Sequence, residues 1–435
     1  MALIRHGEPA KAVHESAHEQ AKEGRMRSRM LKLAARGAAV AAAASLTMVV
    51  AFSHANPSYP YIALQRSGGP SNFSVNYLPG KAQIDAELSV LQQQFSPVAG
   101  SWDTGWWQNA NILQTIMQGY QATHNPVYKN DVRLAFNMNR FISTGYNDDE
   151  GWWGLTWVMA YNTFHERQYL YQAEYSFNYM KQSWSASLGG GLTWNQWDSY
   201  KNAVTNLLYF DLASQIHDAM HRDKYYLGWA RRSYRWLMHS GLMVANGRIS
   251  DGRYVHGGFD RGNSAYLQGL WIGGLVSYAK ATHNQYYIRK AQGVAYASDA
   301  AFADNDGILM GVGCEYKGIC KDLSYLPFKG IYIQNLADLY RATRNPEFIG
   351  FMMLNSESIW KYDRGSGLQA GYIGYYWDGP YSTANVVTLA AGIDALLAGE
   401  LIRTMPPRPG PGDPRALSLL KEEEMARQLI AAERK

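Results

Sequence analysis

The chain has 435 residues, 47% apolar and 18% charged, which supplies ample material for one large core or two ordinary ones. Its net charge of +5 belongs to the N-terminus. Residues 1–55 hold eight Lys/Arg and four Glu, so of the totals of 41 and 36 there remain 33 basic and 32 acidic residues, and no basic surface is left to bind nucleic acid.

The first element is a leader. Arg25, Arg27, Arg29, Lys32 and Arg36 precede an uncharged Ala-rich run over 37–52, and Ser53-His54-Ala55 has the small–x–small form of a cleavage site. Residues 1–55 are therefore expected to export the protein to the periplasm or beyond, with a retained membrane anchor as the alternative. The run is shorter than the roughly 20 residues of a spanning helix. Translation from Met26 or Met30 would leave an ordinary signal peptide.

Between 82 and 404 apolar residues recur at three- and four-residue spacing, interrupted by Gly, Asn, Asp and Pro. This predicts helices over 83–97, 106–123, 128–143, 149–165, 168–183, 199–221, 225–240, 263–282, 286–302, 329–344, 346–362 and 382–403. A short repeat joins several of them. Ala122-Thr123-His124-Asn125-Pro126, Ala281-Thr282-His283-Asn284 and Ala342-Thr343-Arg344-Asn345-Pro346 each end one helix and open another, with Asn expected to end the first and Pro to start the second. Helical hairpins cannot bury their faces alone. The expected fold is all-α, an (α/α)6 toroid of six helical hairpins over 56–404, with an open helical solenoid as the alternative. Glycines such as Gly269, Gly273 and Gly274 inside one helix predict an inner ring of close-packed helices. Met405–Pro414 holds five of the fifteen prolines, so 405–435 reads as a linker followed by a charged helical tail.

The sharpest local feature is Asp148-Asp149-Glu150 followed by Trp152 and Trp153. Acidic residues favour helix starts, but a solvated face does not ordinarily continue into two indoles. Hydrolysis of a glycosidic bond needs one carboxyl group to protonate the leaving oxygen and one to attack carbon or activate water. Neighbouring carboxylates at a helix start sit about 5–6 Å apart, nearer the separation for retention than for inversion. Their crowding raises one pKa and supplies a proton donor at neutral pH. The abundance of Trp and Tyr fits either a large core or a sugar site, because a pyranose presents C–H faces to aromatic rings.

The run Gly145-Tyr146-Asn147-Asp148-Asp149-Glu150-Gly151-Trp152-Trp153-Gly154-Leu155 resembles the double-aspartate signature of glycoside hydrolase family 76, whose bacterial members are endo-α-1,6-mannanases and which has relatives in fungal wall assembly. Trp106-Trp107-Gln108, Gly189-Gly190-Gly191-Leu192-Thr193-Trp194, the Lys201-Asn202 segment, Tyr266-x-Gln268-Gly269 and Phe328-Lys329-Gly330 follow in the family's order. The resemblance spans about residues 83–401. It implies the (α/α)6 barrel and a retaining mechanism with Asp148 as nucleophile and Asp149 as acid/base. Trp107, Gln108, Trp153, Trp194, Asp251, Tyr266, Gln268 and Lys329 are the expected substrate-binding residues. Leu267 departs from the family's usual Asn.

The other candidates carry less. His217 and His221 have the one-turn spacing of a zinc helix but lack a Glu base and a third ligand, and are expected to end an outer helix. Cys314 and Cys320 leave a small disulfide loop open. Tyr372–Trp377 reads equally as subsite or core, and His165 and His239 read as structural. The expectation is a monomeric enzyme acting on an α-mannan-type polysaccharide, with no cofactor, no metal and no nucleic acid. The rivals are a transglycosylase using the same residues and a non-catalytic glycan-binding envelope protein.

Overall fold

The structure is a computed structural model that describes residues 78–407 except 142, 221–222, 313–314, 316–322 and 383. Among these residues it has twelve α-helices: α1 (Lys81–Gln92), α2 (Trp106–Thr123), α3 (Pro126–Asn139), α4 (Asn147–Phe164), α5 (Arg167–Lys181), α6 (Ala203–Ala219), α7 (Lys224–His239), α8 (Ala265–Thr282), α9 (Gln285–Phe302), α10 (Phe328–Thr343), α11 (Ile349–Tyr362) and α12 (Val386–Thr404). The leader, the C-terminal tail and both cysteines lie outside the described residues, within which no helix is long and apolar enough to cross a membrane.

The even-numbered helices form a closed inner ring: α2, α4, α6, α8, α10 and α12 each pack on the next, and α12 packs back on α2. The odd-numbered helices lie outside them, and closure rules out the open solenoid. Five hairpins run in sequence order, and α12 finds its outer partner in α1 from the far end of the domain. At that last joint Arg403 Nη2 of α12 donates to the Pro79 carbonyl at 3.0 Å, and just past α11 the Arg364 guanidinium holds the buried Glu87 carboxylate of α1. Inner helices are surrounded, so they are buried on every side. In α6 every residue from Ala203 to Ser214 is buried.

Close approach is where the inner glycines matter. A Cβ on Gly269 of α8 would stand 2.8 Å from Tyr332 Cα of α10, and one on Gly330 of α10 would stand 2.7 Å from Ala391 Cα of α12. Backbone cannot yield as a flexible side chain can. Gly330→Val is therefore expected to destabilise the ring by about 1–3 kcal/mol or more through overpacking, read as a lower midpoint in thermal or urea unfolding.

The repeated turn works differently from the expectation that Asn ends the first helix. His124, His283 and Arg344 end α2, α8 and α10 in the left-handed conformation, at φ 59°, 51° and 50°, and His165 ends α4 in the same way at 58°. The Asn that follows opens the next element: Asn125, Asn284 and Asn345 accept hydrogen bonds from the amides of Val127, Tyr286 and Glu347.

A second correction concerns 199–202, expected as the start of a helix. Tyr200–Asn202 is a strand, β1, pairing antiparallel with β2 (Gly252–Tyr254), which pairs with β3 (Phe259–Asp260). The helix cannot begin earlier because Asn202 is its N-cap, accepting from the Thr205 amide at 3.3 Å. His217 is also corrected: it lies on inner helix α6, with Nδ1 2.7 Å from the Asp223 carbonyl oxygen.

Candidate active site

Every inner helix is entered from the same end of the ring, because each hairpin returns the chain through an outer helix. The residues singled out at helix starts therefore converge on that end. Asp148 and Asp149 occupy the first turn of α4. The backbone before them is pinned: the Asn147 amide donates to the Trp194 carbonyl at 2.8 Å, and Asn147 Nδ2 donates to Thr193 O and Ser183 Oγ, both at 2.9 Å. Gly145, at φ 82°, turns the chain where the Trp197 ring fills the space of any Cβ.

Each carboxyl group has its own donor. Trp194 Nε1 donates to Asp148 Oδ2 at 3.0 Å, and the Thr144 hydroxyl donates to Asp149 Oδ2 at 2.6 Å. Among the described residues, none donates a hydrogen bond to the other oxygen of Asp148. Burial first, and the Asp149 charge second, push the Asp148 carboxyl up to about 8; the indole donor and first-turn amides pull the other way. Asp149 is raised by burial against the Thr144 hydrogen bond. Glu150 is turned away, accepting from the Ser176 hydroxyl of α5 at 3.3 Å, and burial pushes it up to about 7. Two crowded, desolvated carboxyls at one helix start hold a proton near neutrality, which is the requirement for an acid working beside a nucleophile.

The donor indole is placed by a caged lysine. Lys201 is fully buried and has no carboxylate among its hydrogen-bond partners. Its Nζ instead donates to the carbonyls of Ser185, Ser187, Gly190 and Gly191 and to Ser185 Oγ, at 2.6–3.3 Å. Gly189, Gly190 and Gly191 all have positive φ, which lets the loop curl its carbonyls inward. Asn206 clamps the exit, accepting from the Leu192 amide at 2.8 Å and donating to the Leu192 carbonyl at 3.0 Å. Burial lowers the Lys201 pKa to about 8.

Asp251 joins the site from the β-sheet. Its Oδ2 accepts from the Tyr200 hydroxyl, and burial raises its pKa against that bond. Tyr266, at the start of α8, stacks its ring on Phe328 of α10 with centroids 3.9 Å apart, and burial first, then the Asp251 and Asp148 charges, push its hydroxyl well above its ordinary value.

The glycosyl hydrolase family 76 model matches residues 88–404. This chain belongs to that family. Among family 76 relatives, the chain is 26% identical over 273 residues to the mannan endo-1,6-alpha-mannosidase DCW1 of Saccharomyces cerevisiae, a stretch covering 55% of this chain and 59% of that protein's length. Of solved structures, it resembles an inactive variant of the α-1,6-mannanase GH76A of Salegentibacter sp. HEL1_6, in complex with α-1,6-mannotetrose, in which two consecutive aspartates are replaced by alanine. The TM-score is 0.66 at 21% identity, covering 74% of this chain and 98% of that one. Dfg5 from Chaetomium thermophilum in complex with glucosamine gives a TM-score of 0.63 at 19% identity, covering 78% and 96%.

The family 76 motifs do not all serve the pair directly. Trp194 donates to Asp148, and the charges of Asp251 and Asp148 both act on the Tyr266 hydroxyl. Trp107 stands at the start of α2, stacked on Trp152 at 5.6 Å. Trp153 is core, 5% exposed between Trp106 and Trp157 at 4.8 and 5.2 Å. Gln268 is fully buried, its amide exchanging hydrogen bonds with the Ile249 backbone at 2.9 and 2.8 Å. Lys329 is buried against the Glu315 carboxylate and the Tyr375 carbonyl. Gln108 lines a small cavity with Asn111, Thr115 and Asp394 between α2, α10 and α12. The side chains of Gln108, Trp153, Gln268 and Lys329 are all buried. Leu267, the departure from the family, is core. In the Tyr372–Trp377 segment, Tyr375 and Trp377 are buried.

Thr144 and Trp197 were not singled out from sequence, and Tyr146 and Lys201 appeared there only as members of motifs, with no role of their own. Polar or aromatic types in a loop give no sign of which way they face; only the flanking glycines hinted at a shaped loop.

Replacing the indole donor tests its electrostatic role. In Trp194→Phe the carboxylate form of Asp148 loses a hydrogen bond, so its pKa rises. The acid limb of the pH–rate profile is expected to move to higher pH, whereas a purely steric role for Trp194 leaves that limb in place.

Proposed function

We propose that this chain is an exported, retaining glycoside hydrolase that cuts within an α-1,6-linked mannan, with 56–404 as its catalytic domain. The observation that carries the reading is the Asp148-Asp149 pair on the first turn of α4, each carboxyl held by a separate donor and one oxygen of Asp148 without a donor among the described residues. The α-1,6-mannanase with consecutive aspartates replaced in its inactive variant, and the mannan endo-1,6-alpha-mannosidase relative, support the substrate class.

In this reading the pair shares one proton, which sits on Asp149 once the sugar is bound; Asp149 gives it to the glycosidic oxygen as that C–O bond breaks, and the Asp148 carboxylate bonds to the anomeric carbon. Asp149, now a carboxylate, takes a proton from water, whose oxygen displaces Asp148 and restores the anomeric configuration. Asp251, Tyr266 and Trp107 offer hydrogen bonds and ring faces to the flanking sugars.

The test is reducing-end release from linear α-1,6-mannan by the exported chain, with the anomer of the first product followed by proton NMR. Release with retention supports the reading; no release from α-1,6-mannan removes the substrate assignment, and inversion removes the covalent step. A transfer reading is favoured by one observation, the likeness to Dfg5 bound to glucosamine. It is distinguished by elongated products when a glucosamine-containing acceptor is added.

A further inference from the structure

Outer helix α5 carries tyrosines on its solvent side at four-residue intervals. Tyr171 and Tyr175 are 59% and 47% exposed, and Tyr179 follows one turn later. Residues four apart lie on one face and rise about 6 Å, so the three rings form a line of about 12 Å. The other exposed residues of α5 are Arg167, Gln168 and Asn178. The face thus combines aromatic rings with hydrogen-bonding groups and lacks aliphatic side chains.

The line runs into the active site. As the outer partner of α4, helix α5 brings its C-terminal end to the end of the ring where Asp148 lies. There the Tyr179 hydroxyl accepts from Ser143 Oγ at 2.8 Å and from Gln196 Nε2 at 2.7 Å. Gln196 is followed by Trp197, whose indole is 69% exposed yet held in place: its amide donates to Asn195 Oδ1 at 2.9 Å and its ring meets Tyr146 edge-on at 5.6 Å. Tyr146 packs against Trp194 at 5.1 Å, the donor to Asp148.

We propose that Trp197, Tyr179, Tyr175 and Tyr171 form an extended track that holds the flank of a long polysaccharide outside the catalytic site, an inference that rests on the glycan-cleaving reading above. Two observations select this occupant. The face leads through Tyr179, Gln196 and Trp197 to Tyr146 and Trp194 beside the carboxylate pair. Its rings match the C–H faces of pyranoses, while Asn178, Gln168 and the tyrosine hydroxyls match their hydroxyl groups.

The experiment uses Asp149→Asn chains, so that polymer is bound and not cut, with and without Tyr171→Ala and Tyr175→Ala together. Linear α-1,6-mannan set into native gels is expected to retard the Asp149→Asn chain. Removing the two rings is expected to weaken polymer binding about tenfold, the scale of losing two aromatic contacts. Calorimetric affinity for the trisaccharide is expected to move less than twofold, the result that separates a track outside the catalytic site from the catalytic subsites themselves. Equal losses for polymer and trisaccharide, or none for either, overturn the track. So does a fall from dimer to monomer in sedimentation on substituting the tyrosines, which would make the face a contact between copies. If mannan retards neither chain and the trisaccharide does not bind, the mannan reading itself fails. If both chains are retarded alike, only the track fails.

Discussion

Asp148→Asn is expected to reduce hydrolysis by on the order of 10⁴-fold or more, the scale seen when an essential nucleophile is removed, while leaving the protein folded and more stable above acid pH. The activity loss follows from the covalent step, since an amide cannot serve as the displacing carboxylate. The stability gain follows from linkage. Asp148 moves from an ordinary carboxyl value of 3.8 to about 8 in the folded chain, chiefly through burial. Between these values the folded state binds the proton more tightly than the unfolded state, so stability falls as pH rises across the window. The amide has no charge to bury and escapes that loss. The melting-temperature advantage of the variant over the parent should therefore be small near pH 4 and grow toward pH 8. A variant that lost activity by misfolding would show the opposite sign, with a lower melting temperature throughout.

Lys201→Met is expected to cost both stability and rate without touching substrate. Four backbone carbonyls and one hydroxyl lose their shared donor, and buried acceptors left unpaired cost roughly 1–3 kcal/mol each before relaxation. The loop over 185–191 then has nothing to curl around, and the neighbouring Trp194 moves relative to Asp148. A displacement of about 1 Å at such a distance can cost on the order of 100-fold in rate. The measurement is kcat together with the pH profile: loss of the indole donor should shift the acid limb upward as in Trp194→Phe. Arginine is not expected to rescue, because a planar guanidinium does not fit a cage of acceptors converging on one point. A variant with an unchanged pH profile and only lowered stability would show the cage to be purely structural.

Much of this was legible in residue order because it depended on local rules. The period of apolar residues located the helices to within a few positions, and the turn motif marked the hairpins. The misplaced ends have two causes. Residues 199–202 have a composition a helix tolerates, and only pairing with Gly252–Tyr254 draws them into a strand. The Asn of the turn motif was assigned to the wrong helix because ending one helix and capping another use the same residue type.

The carboxylate pair was legible because adjacency in sequence is adjacency in space at a helix start. The binding residues were less so. Trp153, Gln268 and Lys329 sit in the expected motifs, but their side chains are buried and their neighbours in space are Trp157, Ile249 and Glu315. A motif records that a position matters, without separating contact with sugar from support of the helix that makes contact.

By itself, then, the sequence determined that the chain is helical, that its helices pair, and that two carboxyl groups stand together at a helix start, because each of these is set by interactions within a few residues. Only the tertiary structure decided that the ring closes through α12 and α1, that Lys201 is caged by the glycine loop, and that Trp194 turns its N–H on Asp148. Those contacts join residues far apart in the chain. Which groups meet across such distances depends on packing around the whole ring, and no local pattern of residue types encodes it.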